Sequence, residues 1–360
     1  ALSGDVTMTN AGVVTIANNS IDSDQYVDGS IDNAHLADDA VTVAKMNDSA
    51  YLANRNMIIN GDFNVWQRAT SSTAGGYGYE TADRWYFGGN SGAGKQTTRH
   101  TATPQEGFQY HMRVDANGIP ASNYVGVEQA IETSTVVPLR SQTITVSVYA
   151  RKGASAQADN SYKLRLAQSN STDARSTLNF GTGLTDTAMS LTTSFVRYSA
   201  TVTVASDAVG ISCSIVLNAG GSTATADDYI EITGVQLEIG DTATPFEHKT
   251  YGQELAACQR YCEKLHGDTQ YEMVSMQFAY NTTSTEGILY YLPKRANPTI
   301  TQYSTGAGGW KISYSTLASV LSAVPTFDLI TLTNSRISAS ISSGLTALQG
   351  CYLRTDEDTS

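Results

Sequence analysis

The sequence predicts a mostly β chain: a thin repeat shaft, a jelly-roll β-sandwich, one connecting amphipathic helix and a small C-terminal β-sandwich. Three observations predict it. Apolar and polar residues alternate with a period of two in several short segments between 54 and 249. One segment, 251–265, has the period of an amphipathic helix instead. Residues 20–49 form an internal repeat of ten residues. The domain boundaries that follow are 1–53, 54–249, 250–266 and 267–360.

Composition and charge limit the classes of function. The chain has 360 residues, of which 41% are hydrophobic and 16% charged, and this is enough apolar material for a folded core. The 34 acidic and 22 basic residues give a net charge of −12, and a surface of that sign repels nucleic-acid phosphates. The chain has no run of about 18 apolar residues, so no membrane span is predicted. No signal-peptide pattern follows Ala1. We therefore expect neither a nucleic-acid partner nor membrane insertion.

The N-terminal segment differs in kind from the rest of the chain. Residues 1–50 contain eight Asp and one Lys, and the repeat reads SIDSDQYVDG, SIDNAHLADD and AVTVAKMNDS. Each unit has too few apolar side chains to bury them alone, so such repeats need neighbours. The sequence predicts a shaft whose apolar positions meet on an axis shared by several chains; a flexible acidic leader is the alternative. The predicted axis positions are Ile21, Ile31 and Val41, together with Tyr26, Leu36 and Met46.

Residues 54–249 predict one β domain. TITVSVYA at 143–150 alternates strictly, and YKLRLAQ, SFVRYSATVTV, VGISCSIVL and YIEITGVQLEI repeat the pattern between clusters of Gly, Asn, Ser and Asp. Many short alternating strands separated by turn residues are typical of a sandwich or a jelly roll. Near the N-terminus, VTMTN and VVTIA flank Ala11 and Gly12 and predict a small β element.

The helix and the last domain follow. In YGQELAACQRYCEKL, apolar residues recur every three or four positions, which predicts a helix that connects two β domains or packs against its own copies. Residues 267–360 are β-like again and are long enough for a small sandwich. Four cysteines are too few for a disulfide scaffold, so we expect free thiols in a chain made in a reducing cytoplasm.

Patterns for catalysis or cofactor binding are weak. Gly89–Thr97 approaches a phosphate-binding loop, but Gln96 stands where Ser or Thr is needed and no helical period follows, so we expect a loop between strands. On a helix, Cys258, Cys262 and His266 would span about 12 Å, too far for one zinc ion. The chain has no G-x-S-x-G and no H-E-x-x-H motif. We expect no catalytic residue, no metal and no cofactor; a carboxylate pair for glycoside cleavage stays open, because such pairs form in space.

Tyrosine is the aromatic residue that stands out. The chain has 20 Tyr against 8 Phe and 3 Trp. Tyr offers a flat apolar ring and a polar tip, which suit sugar stacking and protein interfaces. The aromatic cluster in the last domain supplies the predicted receptor-binding residues, although core and strand filling is the alternative for each. They are Trp310, Tyr290, Tyr291 and Tyr303.

Two stretches resemble a known family. NRNMIINGDFNVWQR at 54–68, with Ala82–Trp85 further on, resembles the opening of a domain found in bacteriophage tail-fibre and receptor-binding proteins. GVQLEIGDTATPFE at 234–247, followed by Cys258–Tyr261, resembles the close of that domain. The family unit is a jelly roll akin to carbohydrate-binding modules, and the ten-residue repeats resemble shaft elements of the same fibres. The resemblance covers roughly residues 20–265, and it implies that Trp66 and Trp85, which lie inside the family's motif, belong to the core.

The resemblance implies a homotrimeric fibre of the virion tail, assembled in the host cytoplasm. Its N-terminus would join other virion tail proteins, and it would bind a host cell-surface glycan. A tail-associated depolymerase of the glycoside hydrolase type and a purely structural tail or capsid component are the alternatives. Related jelly rolls often hold calcium with an acidic residue before a V-x-L strand. Here Thr233 and Gly234 precede that strand, which leaves Asp62 as one possible ligand.

Overall fold

The computed structural model describes most of the chain. The described residues are 6–17, 26, 31, 35–36, 54–72, 75–89, 94–169, 172, 183–265, 273–302, 309–314, 317–347 and 349–355. The chain divides into two compact units, Ala1–Leu52 and Ala53–Ser360. Within the described part, no helix has both the length and the apolar character needed to cross a membrane.

The first unit contains a short hairpin of β1 (Val6–Met8) and β2 (Val14–Ile16). The strands pair antiparallel with Val6 opposite Ile16. The turn is closed by a hydrogen bond from Gly12 N to Thr9 O of 2.9 Å, and Gly12 has a φ of 81°, which glycine adopts without steric cost. The small β element expected around Ala11 and Gly12 is confirmed.

Half of the predicted axis positions can be placed. Tyr26, Ile31 and Leu36 are described, and their side chains are exposed in the single chain. Ile21, Val41 and Met46 lie outside the described residues. The shared axis stays a prediction.

The second unit begins with a sandwich of two five-stranded antiparallel sheets. Its strands are β3 (Tyr86–Gly89), β4 (Gln96–His100), β5 (His111–Asp115), β6 (Tyr124–Ile131), β7 (Thr143–Lys152), β8 (Ser161–Ser169), β9 (Gly183–Ala188), β10 (Val196–Thr203), β11 (Gly210–Asn218) and β12 (Tyr229–Ile239), with a short helix α1 (Thr133–Val136) after β6. The sheet orders are β10-β7-β12-β5-β4 and β3-β6-β11-β8-β9. The chain crosses from one sheet to the other between β5, β6, β7 and β8, and again around β10, β11 and β12, which is the winding of a jelly roll. The predicted fold class is confirmed.

The period-two pattern places the core between these sheets. Alternate residues of each strand point inward, and each fully buried aliphatic side chain stabilises the fold by about 1.5–3 kcal/mol. Trp85 is buried as predicted, and Trp66 is half-buried against the same core. The core includes Met112, Val114, Val146, Val148, Leu164, Leu166, Cys213, Ile215, Ile230 and Ile232.

Asn60 organises the loop that carries the opening motif. Its side-chain amide donates to the carbonyl oxygens of Val65 at 2.9 Å and Asp83 at 3.0 Å, and its Oδ1 accepts from Val65 N at 2.9 Å. Trp85 Nε1 donates to Asn60 O at 3.0 Å. Asn60 has a φ of 58°, a left-handed conformation that Asn tolerates better than most residues. One buried amide therefore joins the two parts of the motif.

Asn56 joins the opening motif to the closing motif. Its Nδ2 donates to Val235 O at 3.1 Å, and its Oδ1 accepts from Leu237 N at 3.1 Å, so it pairs with the backbone of β12. The Asn56 N–H donates to Glu247 Oε2 at 2.7 Å. Stretches about 180 residues apart in sequence thus form one structural unit.

The glycine-rich stretch before β4 is a connection between strands, as expected. β3 ends at Gly89 and β4 begins at Gln96, so a strand follows where a phosphate-binding loop needs a helix. Lys95 is buried, and its Nζ lies 3.1 Å from the centroid of the Tyr77 ring. Burial lowers the pKa of Lys95 to about 8.

The helix α2 spans Tyr251–Gln259, which is shorter than the predicted 250–266. Thr250 and Gln253 form a capping box at its start, which satisfies two backbone donors. The helix ends early because the Gln67 side chain forms hydrogen bonds with the backbone that follows Gln259. Gln67 Nε2 donates to Cys262 O at 2.8 Å, and its Oε1 accepts from Lys264 N at 3.2 Å. A tertiary contact therefore overrides the helical period beyond Gln259.

The remaining strands form one seven-stranded antiparallel sheet. They are β13 (Met273–Ala279), β14 (Ser284–Tyr290), β15 (Trp310–Tyr314), β16 (Leu317–Val320), β17 (Thr326–Asp328), β18 (Asn334–Ser340) and β19 (Gly350–Thr355), in the order β16-β15-β19-β13-β14-β18-β17. This region has its own buried cluster, which includes Trp310, Ile312, Leu289, Ile337 and Leu353. The β character predicted for 267–360 is confirmed over its described residues.

Candidate ligand-binding cleft

A cleft of about 310 Å³ lies where the jelly roll, the segment after α2 and the last domain meet. Three of its walls come from the resemblance motifs, because Arg68 ends the opening motif, Arg84 stands in its second part and Arg260 follows the closing motif. The fourth wall is the segment 294–299, which sequence reasoning did not single out. The lining residues are Arg68, Tyr79, Arg84, Ala130, Ile131, Glu132, Arg260, Tyr261, Cys262, Lys294, Arg295, Ala296, Asn297, Pro298 and Thr299.

Arg84 and Tyr261 stack in this cleft. The Arg84 guanidinium carbon lies 3.5 Å from the centroid of the Tyr261 ring, and Arg84 Nη2 donates to Ala130 O at 2.6 Å. Arg84 is buried and has a φ of 75°, a left-handed conformation that costs free energy for a residue with a Cβ. Its Nε has no hydrogen-bond partner among the described residues. Buried donors without a partner are rare in folded proteins, which singles out Arg84 among the lining residues.

Glu132 holds the two residues after α2 in place. Its carboxylate pairs with Arg260, with Nη2 to Oε2 at 3.0 Å, and accepts a hydrogen bond from the Tyr261 hydroxyl. Burial, with Glu132 beside it, raises the pKa of Tyr261 to about 12, so the hydroxyl stays protonated at neutral pH. Hydrogen bonding to Glu132 also raises the pKa of Arg260. The side chains that face the cleft from this segment are therefore fixed.

Lys294 ties the last domain to the end of α2. Its Nζ donates to Gln259 O at 2.7 Å and forms a buried ion pair with Glu263. The Arg295 N–H donates to Arg260 O at 3.0 Å. The segment 294–299 is thereby pinned against the jelly-roll side of the cleft.

Arg68 and Tyr79 also line the cleft. Arg68 Nη1 pairs with Asp83 Oδ1 at 3.2 Å, and its guanidinium carbon lies 6.0 Å from the centroid of the Tyr79 ring. Tyr79 packs edge-on against Tyr86 with ring centroids 5.4 Å apart. Burial raises the pKa of Asp83 in spite of hydrogen bonding from Gln67 and the charge of Arg68.

The cleft combines positive charge with flat aromatic rings. Four arginines and one lysine line it against a single carboxylate, Glu132, although Asp83 and Glu263 neutralise two of these cations from behind. This concentration of cations occurs in a chain of net charge −12. Guanidinium groups donate to hydroxyl, carboxylate and phosphate oxygens, and tyrosine rings stack on sugar faces. The arrangement can bind an oxygen-rich ligand.

The predicted receptor-binding residues that the structure describes do not form one exposed surface. Trp310 is 3% exposed at the start of β15, so its assignment to an exposed receptor face is wrong: its large ring packs in the core of the last domain. Tyr291 is half-buried, and its hydroxyl donates to the carbonyl oxygens of Thr331 and Asn334 at 3.0 and 2.8 Å. Tyr290 is 69% exposed at the end of β14. Tyr303 lies outside the described residues.

One group of side chains has metal-ligand chemistry. Ligand atoms of His100, His111 and Glu231 lie within 4.8 Å of one another on the outer face of one jelly-roll sheet. Glu231 already pairs with Arg113 Nη2 at 2.6 Å and Arg151 Nε at 2.5 Å, one cation to each oxygen. Two guanidinium groups beside a cation site repel a metal ion. The group fits a buried ion-pair cluster and does not fit a metal site.

The structure offers only part of the calcium site that related jelly rolls have: Asp62 Oδ1 and Asn64 Oδ1 are buried without a hydrogen-bond partner among the described residues, but the position before the V-x-L strand is not acidic. Thr233, which stands in the acidic position before the V-x-L strand, donates its hydroxyl to Tyr110 O at 3.0 Å. Asp62 is buried with its Oδ2 beside Asn64 Nδ2, and burial raises its pKa, which favours the neutral acid. Calcium needs six to eight oxygen ligands, most of them charged or carbonyl.

Comparisons with known proteins leave the family open. No protein-family model matches the chain. No curated protein matches it. Among solved structures, it is similar to the enzymatically active domain of bacteriophage CBA120 tailspike protein 4, with 11% identity, coverage of 52% of this chain and 22% of that chain, and a TM-score of 0.34.

Two carbohydrate-binding modules are also similar. A CBM4 module shows 16% identity, with 50% of this chain and 98% of that chain covered and a TM-score of 0.30. The CBM22-1 xylan-binding domain of Paenibacillus barcinonensis Xyn10C shows 11% identity, with 48% and 94% covered and a TM-score of 0.29. Scores this low carry no argument about function, and the jelly-roll description rests on the strand order.

Proposed function

We propose that this chain is a recognition protein without catalytic activity, a phage tail fibre whose cleft binds a host-surface glycan. It acts as a homotrimer of the virion tail, held to other tail proteins by its N-terminal unit. The family resemblance of residues 20–265 supports the tail-fibre part of the proposal. The glycan-binding part is carried by the cleft.

The single observation behind glycan binding is that arginine lies beside tyrosine twice among the lining residues of one cleft. Arg84 stacks on Tyr261, and Arg68 lies beside Tyr79. Fixed donors and flat rings on rigid walls are what a polyhydroxylated ligand needs, because little side-chain entropy is lost on binding. Weak binding at each of three clefts would add up through effective concentration.

The cleft gives little support to the depolymerase alternative. Glycoside hydrolysis usually needs two carboxyl groups roughly 5–9.5 Å apart that flank the scissile bond. Glu132 is the one carboxylate among the lining residues, all of which are described, and its oxygens are engaged by Arg260 and Tyr261. Incubation with host surface polysaccharide tests the alternative, because release of new reducing ends would contradict the proposal.

A glycan array with purified chain tests the binding site. The double variant Arg68→Ala, Tyr79→Ala removes one wall of the cleft and should weaken binding at least tenfold. The matched control is Arg99→Ala, Tyr110→Ala, which removes a similar pair, 4.7 Å apart, from β4 and the chain before β5. The control should bind as the unmodified chain does.

Two outcomes would contradict the proposal. Equal loss of binding in both double variants would place the site elsewhere or show general unfolding. Absence of binding to any glycan and to whole host cells would favour the purely structural tail or capsid component.

A further inference from the structure

Two neighbouring inner strands of the seven-stranded sheet, β13 and β14, place large apolar side chains on the exposed side. In β13, Met276 and Phe278 are 71% and 46% exposed, whereas Ser275 and Gln277, which alternate with them, are buried. Strands in water normally place their apolar residues in the core and their polar residues outside. The outward side of β13 has the composition of a buried side.

The neighbouring strand repeats this arrangement. Ile288 and Tyr290 of β14 are 50% and 69% exposed, while Thr285 is buried and donates a hydrogen bond to Gln277 Oε1 beneath the same two strands. The side of β13 and β14 that faces the core thus mixes polar Ser275, Gln277 and Thr285 with Ala279 and Leu289. Large apolar side chains are left outside on both strands, so the exposed surface does not rest on one residue.

These side chains form one continuous surface. Gln277 lies opposite Gly287 in the antiparallel pair, so Met276 and Ile288, one residue further along each strand, lie across from each other. Tyr352 of β19 lies opposite Met276 on the other side. We define the apolar face as Met273, Met276, Phe278, Ile288, Tyr290 and Tyr352. A groove of about 570 Å³ runs along part of it and is lined in addition by Leu265 and Leu289.

The size of the apolar face matches an association surface. A large side chain offers roughly 150–250 Å² of area, so six such side chains exposed by about half present roughly 500–700 Å². Monomeric proteins rarely expose a contiguous apolar patch larger than a few hundred Å². A stable interface takes about 800 Å² from each partner, so this face with its polar rim is close to one complete side.

The charged residues beside the apolar face indicate which class of partner can bind there. Arg336, opposite Ile288, is neutralised by Asp328, and Glu286 adds a further carboxylate at 3.6 Å. The chain as a whole carries −12. Nucleic acids and anionic lipid surfaces need a basic rim, and these groups do not offer one. A surface that is apolar at its centre and neutral at this edge is compatible with itself.

We propose that the apolar face is covered by the same face of other copies of this chain, which meet around one axis. Burial of Met276, Phe278, Ile288 and Tyr290 between copies removes this apolar surface from water, which provides the main free energy of the contact. The proposal does not depend on the function of the cleft. It also does not depend on the N-terminal repeat, which predicts a separate contact between chains.

Cross-linking of the full-length chain tests the contact directly. Met276→Cys places a reactive thiol at the centre of the apolar face, and the matched control Ser206→Cys places one in an exposed turn of the jelly roll. Treatment with a short bis-maleimide at micromolar protein should join Met276→Cys chains in pairs on a denaturing gel. We expect the yield of cross-linked chains to be at least fivefold higher than with the control. Dilution of the protein should reduce the cross-linked yield of the control much more steeply than that of Met276→Cys.

A charged variant provides a second measurement. Ile288→Asp, added to Met276→Cys, should reduce the cross-linked yield at least fivefold, because two buried carboxylates would face each other across the contact. Unchanged yield would overturn the proposal. A light-scattering mass equal to one chain at tens of micromolar protein would also overturn the proposal. The same holds for an oligomer whose Met276→Cys chains cross-link no better than the control, because the apolar face would then be open or have another partner.

Discussion

Glu231 connects three strands of one jelly-roll sheet. It lies on β12 and accepts hydrogen bonds from Arg113 on β5 and Arg151 on β7, and His111 Nε2 lies 3.4 Å from it. These contacts outweigh burial and lower the pKa of Glu231 from 4.5 to about 2. The cluster therefore depends on a charged carboxylate held between cations.

We expect Glu231→Gln to destabilise the chain by about 3 kcal/mol at pH 7, because it leaves two guanidinium groups without a buried counter-charge. The folded-state pKa is depressed, so the stabilisation is present above the unfolded pKa of 4.5 and is lost as the pH falls toward 2. Urea unfolding at pH 7, 4.5 and 3 measures this, and the variant should lose less stability over that range than the unmodified chain.

Asp186→Asn, at an exposed pair with Lys163, is the control and should cost less than about 1 kcal/mol. Parallel pH profiles for Glu231→Gln and the unmodified chain would contradict the assignment.

The sequence could predict residues of this kind only in part. Trp85 was expected in the core from its motif, and it is buried there. Trp310 was expected at an exposed receptor face, but the strand that contains it turns the ring into the core. Glu231 gave no signal, because its partners Arg113 and Arg151 lie 118 and 80 residues away and meet it only through strand pairing.

At the scale of elements, β12 contains a bulge that a single glycine permits. The register of β12 against β7 shifts between Thr233 and Gln236, and Gly234 there has a φ of 60°. A Cβ on Gly234 would lie 2.6 Å from Phe108 Cζ and 2.9 Å from a ring carbon of Tyr149. Glycine therefore meets both a backbone requirement and a packing requirement.

Gly234→Ala should lower the free energy of unfolding by about 2–4 kcal/mol, since left-handed strain and a clash with two rings both contribute. Gly240→Ala is the matched control: its φ is 115°, but nothing lies within 4 Å of the added Cβ. The control should show the backbone cost of about 1–2 kcal/mol alone. Urea unfolding of both variants measures the difference, and equal losses would mean that Phe108 and Tyr149 move aside freely.

Elements were easier to predict than their limits. The alternation of 143–150 gave β7, and the capping pair Thr250 and Gln253 lies at the predicted start of α2. The end of α2 could not be read from the apolar spacing, because Gln67, about 195 residues earlier, binds the backbone of Cys262. The cleft also depends on contacts between distant parts of the chain. The sequence indicated only the motifs at the two ends of the jelly roll, and the lining segment 294–299 comes from a region without a motif.

At the scale of the whole molecule, the apolar face and the N-terminal repeat are two independent indications that copies of the chain associate. The repeat positions that are described, Tyr26, Ile31 and Leu36, are exposed in the single chain, although they belong to two sets of apolar positions that each recur with a period of ten. Exposed apolar residues that repeat along an acidic segment gain most if they meet other copies, because neighbouring repeats alone bury too little area. One axis shared by three chains remains the prediction that uses all six positions.

Light scattering of the full-length chain after size exclusion tests this last prediction. With one chain at 38.4 kDa, we expect a mass three times as large, about 115 kDa. The variant Ile21→Asp, Ile31→Asp, Val41→Asp places charge at the axis and should lower this mass, whereas Ser20→Asp, Ser30→Asp, Ala40→Asp adds the same charge one position earlier and should not. If both triple variants keep the mass of the unmodified chain, the axis is wrong and association belongs to the apolar face. If all three chains are monomers, the repeat is a solvated acidic segment, and the homotrimer has lost its support.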